Sequence, residues 1–252
     1  MHGGTIEPLY NGSNLAASND FIVVSFNYRL NIFGFMHFET VYSLLEDSGY
    51  LGLKDQIAAL QWIKENIAEF DGNPDNITIF GKSAGSMSTM LLTLVPDSKN
   101  LFQKIISQSG NVSFYNEPEN SAQIAENFMK FSGAKTVGDL MKKSAVELQQ
   151  LYSKYLYVSD GSNLSDFSPA CDGKFFALRP FYSHKNGAAR EIKFLTGVNT
   201  CEWSYWLLYD ENYFKNFYEI NDKISLVMSR YKSRIQRRSE KSKKQRRIRQ
   251  NL

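Results

Sequence analysis

The chain is 252 residues long, 42% hydrophobic and 14% aromatic, with a formal net charge of +3. That composition excludes collagen-like, disulfide-dense and wholly disordered proteins, and leaves enough apolar material for a core. The near-neutral total hides a split: 11 of the 29 Lys/Arg but one of the 26 Asp/Glu fall in residues 230–252, so this tail nets +10 and the rest −7.

In chain order, His2-Gly3-Gly4 stands directly after Met1, so no signal peptide is expected in the chain as written. Phe21-Ile-Val-Val-Ser-Phe26 is β-branched and aromatic, and predicts a short buried strand. Apolar residues at Leu53, Ile57, Leu60, Ile63 and Ile67 predict an amphipathic helix over 53–70. Asp71-Gly-Asn-Pro-Asp75 is a turn. Ile77–Phe80 predicts a strand, Ala84–Leu94 a helix, Lys104–Ser107 a third strand and Lys193–Gly197 a fourth. Strand–helix alternation of this kind implies a mostly parallel sheet with helices on both faces. Between the third and fourth strands, residues 119–152 predict two or three polar helices, such as Ala122–Phe131 and Val146–Tyr152, as an excursion and not a separate domain.

No apolar run, including Phe21–Val24 and Met90–Leu92, approaches the ~20 residues of a membrane helix. Beyond residue 212 the character changes. Ile220, Ile224, Val227, Tyr231 and Ile235 form one apolar stripe, and Arg237–Gln250 has too little apolar content to pack. The tail lacks interleaved aromatics and any nucleic-acid-binding fold pattern, so it reads as solvated chain and not as a nucleic-acid interface.

Gly81-Lys82-Ser83-Ala84-Gly85 fits G-x-S-x-G, with a predicted strand before it and a predicted helix after it. Such a turn strains the serine backbone, exposes its Oγ above the sheet, and aims a helix N-terminus at developing negative charge. The flanking glycines are expected to remove Cβ atoms that would clash. His2-Gly3-Gly4 alone is a glycine turn. Paired with the elbow, it becomes a candidate loop of N–H donors for an oxyanion.

Several further stretches carry a family resemblance: Asn27-Tyr28-Arg29-Leu30, Phe33-Gly34-Phe35, Gly49-Tyr-Leu-Gly-Leu-Lys-Asp-Gln56, Ala59-Leu-Gln-Trp-Ile63, Asn66–Pro74, Ile105-Ile-Ser-Gln-Ser-Gly110 and Asp172-Gly-Lys-Phe-Phe176. In order, from about residue 2 to 210, they resemble the type B carboxylesterase/cholinesterase family. The resemblance implies an α/β-hydrolase fold, here partial, over residues 1–212, with 213–252 a divergent helix and basic tail. It implies hydrolysis of small-molecule carboxylic esters through an acyl-serine, with no cofactor and no metal, and an extracellular or secretory setting. Carried over by position, Ser83 is the nucleophile, Ala84 with Gly4 and Thr5 supplies the oxyanion-hole N–H groups, and Glu202 is the triad acid. Ser109 resembles a serine near that acid, and Arg29 with Asp55 a structural ion pair.

The pattern also departs from the family. Its histidine follows the acid in a His-Gly-x-Glu context, and none of His2, His37 and His184 stands there. The strands that precede the family's HGG loop have no counterpart before Met1. The chain therefore reads as about half a catalytic domain, an inactive relative or a fragment. Lys82 replaces a glutamate, implying a preference for neutral over cationic choline esters. Thr5 replaces a third glycine, and Cys201 and Trp203 replace Asp and Gly beside Glu202. Cys171 and Cys201 are either two buried thiols or a replacement disulfide. Asn11, Asn76, Asn111 and Asn163 each begin Asn-x-Ser/Thr, which matters only in a secretory lumen. The competing reading is a non-catalytic adhesion or binding relative, favoured by the non-glycine Thr5 and opposed by the retained Ser83. Oligomeric state is left open.

Overall fold

The computed structural model describes residues 4–18, 20–158, 167–200 and 202. Residues Met1–Val198 form one compact unit and Asn199–Leu252 a second. The expected boundary at 212 and the basic tail lie outside the described residues.

The helices of the first unit are α1 (Ser13–Ala17), α2 (Asn31–Phe35), α3 (Leu51–Asn66), α4 (Ala84–Leu92), α5 (Pro118–Ser132), α6 (Val137–Met141), α7 (Ala145–Val158) and α8 (Pro180–Lys185). The strands are β1 (Thr78–Lys82), β2 (Lys104–Gln108) and β3 (Lys193–Gly197), all parallel in the order β1-β2-β3. Parallel neighbours require crossovers. The crossover from β1 to β2 is α4, which packs on both strands. The one from β2 to β3 carries the α5–α8 excursion.

Helix α3 forms as its periodicity predicts. Leu53, Ile57, Leu60 and Ile63 are buried on one stripe, and the predicted last turn is instead a 3-10 turn, Ile67–Phe70. Leu53, Ile57 and Leu60 of the stripe join Leu91 and Leu92 of α4, Ile105 of β2 and Phe175–Phe176 in the main core. A second cluster, Ile124, Phe128, Tyr152, Tyr155 and Phe167, is built on α5 and α7. The two are bridged by α2, which gives Phe35 to the first and Ile32 to the second. Reciprocal caps set the starts of α6 and α7. The Thr136 and Ser144 hydroxyls accept from the N–H groups of Asp139 and Glu147, whose carboxylates accept in return.

Phe21–Phe26 is not a strand. Its backbone joins no ladder among the described residues, and Phe21, Ile22 and Val24 are 46%, 44% and 39% exposed. β-Branched residues favour a pleated surface only when a neighbouring strand supplies it. Cys171 is a buried free thiol whose pKa burial pushes up to about 11; Cys201 lies outside the described residues.

The segment after this stretch is pinned to α3 by charge. Asp55 Oδ2 accepts from the Arg29 backbone N–H at 2.9 Å and from Nε at 2.8 Å, while Oδ1 accepts from Nη2 at 2.6 Å. These bonds hold the Asp55 carboxyl below its ordinary pKa, and the same contact raises that of Arg29. A carboxylate depressed in the folded state adds stability that is complete above its unfolded pKa and lost as pH falls through the folded one. With side-chain exposures of 48% and 25% the pair is partly screened, so Asp55→Asn is expected to cost about 1 kcal/mol at pH 7. In urea denaturation the deficit should narrow below about pH 4.

Candidate active site

The serine predicted as nucleophile sits at the junction of β1 and α4, with φ 54° and ψ −117°. Non-glycine residues rarely adopt positive φ, and such strain persists only where surrounding structure imposes it. Two backbone bonds impose it here. Ser83 N–H donates to Gln108 O at the end of β2 (2.8 Å), and Ser83 O accepts from Met87 N–H in α4 (2.9 Å). The first N–H groups of α4, beginning at Ala84, have no intrahelical acceptor, and the helix dipole favours an anion beside them. Ser83 and Ala84 are both half-buried.

The flanking glycines are not equivalent. A Cβ on Gly81 would lie 2.4 Å from the carbonyl carbon of Gly85, whereas a Cβ on Gly85 would meet nothing within 4 Å. The expectation that both glycines relieve a clash therefore holds for Gly81 alone, because the approach is of the Gly85 backbone toward the Gly81 side-chain position.

The other expected site residues fall as follows. Gly4 and Thr5 form a half-buried turn, closed by Glu7 N–H donating to Gly4 O. Thr5 N–H is engaged: it donates to Asn27 Oδ1 at 2.9 Å. Glu202 belongs to the second unit, where its Oε1 accepts from Asn199 N–H. Ser109 directly follows β2, at φ 54°, its N–H donating to Gly197 O at 2.8 Å. Lys82 is exposed at the end of β1, opposite Gln108.

Among the described residues, neither His37 nor His184 hydrogen-bonds to Ser83. His184 Nε2 lies 3.1 Å from both Thr93 Oγ1 and Met90 O. His37 is buried, and that burial lowers its pKa against the opposing pull of Glu39 and Asp172. His2 and Gly3 lie outside the described residues.

A model of the carboxylesterase family matches residues 1–252. The chain belongs to the carboxylesterase family. It is 40% identical over 212 residues to para-nitrobenzyl esterase of Bacillus subtilis, a match covering 80% of this chain and 42% of that one. Mouse cholinesterase is 35% identical over 211 residues, covering 80% and 34% respectively. Among solved structures, the Geobacillus stearothermophilus carboxylesterase EST55 superposes with a TM-score of 0.77 at 35% identity, over 85% of this chain and 44% of that one. The fold is thus the α/β-hydrolase fold of the carboxylesterases, and the chain spans less than half the length of these relatives.

Two features of the site have roles that the sequence alone does not declare. Asn27 was visible only as part of the Asn-Tyr-Arg stretch; its side chain ties down the Gly4–Thr5 turn. Ser86 and Ser107 meet in the core with their hydroxyl oxygens 2.5 Å apart. The available signal was alternation: Ile105 and Ser107 occupy the same inward face of β2, so the second of them is a buried hydroxyl needing a partner.

The glycine asymmetry is open to direct test. Gly81→Ala forces a backbone shift at the elbow and is expected to cost about 1–3 kcal/mol, as overpacking does. Gly85→Ala should be neutral or stabilise by up to ~1 kcal/mol through helix propensity. Urea midpoints of the two variants check both signs.

Proposed function

We propose that the chain carries the nucleophile-bearing half of a serine carboxylic ester hydrolase, with Ser83 as the attacking residue. The observation that carries this reading is Ser83 itself, held at φ 54° between β1 and α4. Its Oγ would bond to the acyl carbon of the ester, and the carbonyl oxygen would become an oxyanion. Ala84 N–H at the start of α4 would receive that oxygen, together with Gly4 and Thr5 N–H. The Oγ proton passes to a general base, the alcohol leaves with a proton, and water then hydrolyses the acyl-serine. Glu202 is proposed as the acid that orients the base. Because His184 bonds to Thr93 and Met90 and His37 is buried without a bond to Ser83, residues 1–252 alone are expected to turn over slowly; loss of such a base typically costs about 10⁶ in kcat.

Thr5 must exchange Asn27 Oδ1 for the substrate oxyanion before it can act. Its engaged N–H favours the second reading, a non-catalytic binding relative, in which the loop never opens. A fluorophosphonate probe, with imidazole added as the general base, separates the two, since it reports a reactive serine without requiring turnover. Labelling mapped to Ser83 by mass spectrometry, and lost in Ser83→Ala, supports the hydrolase; absence of labelling in a chain that melts cooperatively supports the binding relative. With Lys82 adjacent, a choline-bearing phosphonate should label more slowly than a neutral one of equal size, and the reverse order would sink the preference for neutral esters.

We further propose a secretory setting. Among the described residues no helix is long and apolar enough to cross a membrane. Asn11, Asn76 and Asn111 are all exposed, as acceptors of N-linked glycans must be. Asn163 lies outside the described residues. Expressed behind a secretion signal in a eukaryotic cell, the chain should lose apparent mass on treatment with peptide N-glycosidase F. An unchanged mass would count against this setting.

A further inference from the structure

Two serines beside the elbow are more than filling. Ser86 lies in the first turn of α4, three residues after Ser83, and Ser107 lies on β2, in register with Gly81. Both are fully buried, and their hydroxyl oxygens are 2.5 Å apart. The chain that follows Ser107 wraps the elbow closely. Gln108 O accepts from Ser83 N–H, and Gly110 lies so near that a Cβ there would be 2.6 Å from Ser86 Oγ and 2.8 Å from Ser83 O.

The elbow is therefore tied to the end of β2 from both sides. The Ser83–Gln108 backbone bond acts at the strained residue, and the Ser86–Ser107 bond acts one turn into the helix. An apolar contact at the second position would bury as much surface, but dispersion is non-directional and lets a helix slide or roll on a sheet. A buried hydroxyl pair has a narrow optimum in distance and angle and is strengthened by the low local dielectric. Its cost if broken is also high, since each hydroxyl would be left without a partner.

We propose that Ser86 and Ser107 are positioning residues, and that their hydrogen bond fixes the first turn of α4 on β2 so that Ser83 keeps its positive φ and the orientation of its Oγ. The proposal rests on the reading of Ser83 as nucleophile. Neither serine touches the ester; both act through the backbone of the residue that does.

The test uses Ser86→Ala, Ser107→Ala and the double variant in the full chain, with Tm and with fluorophosphonate labelling in the presence of added imidazole as base, resolved into an inactivation constant and a binding constant. Each single variant strands one buried hydroxyl and should lower Tm. The double variant strands none, so its Tm should return toward that of the parent. Its inactivation constant should nonetheless remain about 10- to 100-fold below the parent, with the binding constant unchanged, as expected of a misplaced nucleophile. Should the single variants fail to fold, the double variant still carries the comparison. A double variant that labels at the parent rate would overturn the proposal and leave the pair as packing. If the parent itself does not label, the reading of Ser83 fails. Positioning is then decided by the crystal structure of the double variant: a Ser83 φ displaced from the positive region supports it, and a retained φ overturns it.

Discussion

The local architecture turns on a backbone that cannot relax. Ser83 must pass from a strand into a helix within one residue, and does so at φ 54°. A conformation of this kind costs about 1–3 kcal/mol and has to be imposed from outside. Gln108 O imposes it by accepting the Ser83 N–H, so β2 must end level with β1. The parallel register achieves this, setting Lys82 opposite Gln108 and Gln108 opposite Gly197. Gly81 follows from the same constraint, because the turn brings the Gly85 backbone into the space a side chain would need.

The rest of the first unit supports that register. Helix α4 is held on β1 and β2 by Leu91 and Leu92 in the main core, against the α3 stripe and Ile105. Arg29 and Asp55 fasten the approach to α2 onto α3, and α2 in turn joins the main core to the α5–α7 cluster. These contacts lie outside the elbow, yet they fix the elements that meet there. Capped helix starts and a cluster shared with α2 order the excursion between β2 and β3, which also gives Phe175 and Phe176 to the main core.

The parts legible in the sequence are those written locally. The α3 stripe, the three parallel strands and the strand–serine–helix elbow all declare themselves through period or through glycine spacing. What escaped depends on partners distant in sequence. Phe21–Phe26 has strand composition but no ladder among the described residues, and composition cannot say whether a neighbour is present. The fate of Thr5 N–H depends on Asn27, 22 positions away. Ser86 and Ser107 each look like an ordinary polar residue until the crossover brings them together. Gly85 shows the converse: its place in the motif implied a steric role, while the space around it is open.

The most direct measurement is a crystal structure of the chain after reaction with a neutral fluorophosphonate. The phosphorus should be bonded to Ser83 Oγ, with Ser83 still at positive φ and a phosphonyl oxygen within about 2.7–3.1 Å of Ala84 N–H, the geometry of oxyanion stabilisation. A phosphonate on another residue, or a Ser83 relaxed to negative φ with its oxygens away from α4, would contradict the claim that this strained turn is the reactive centre.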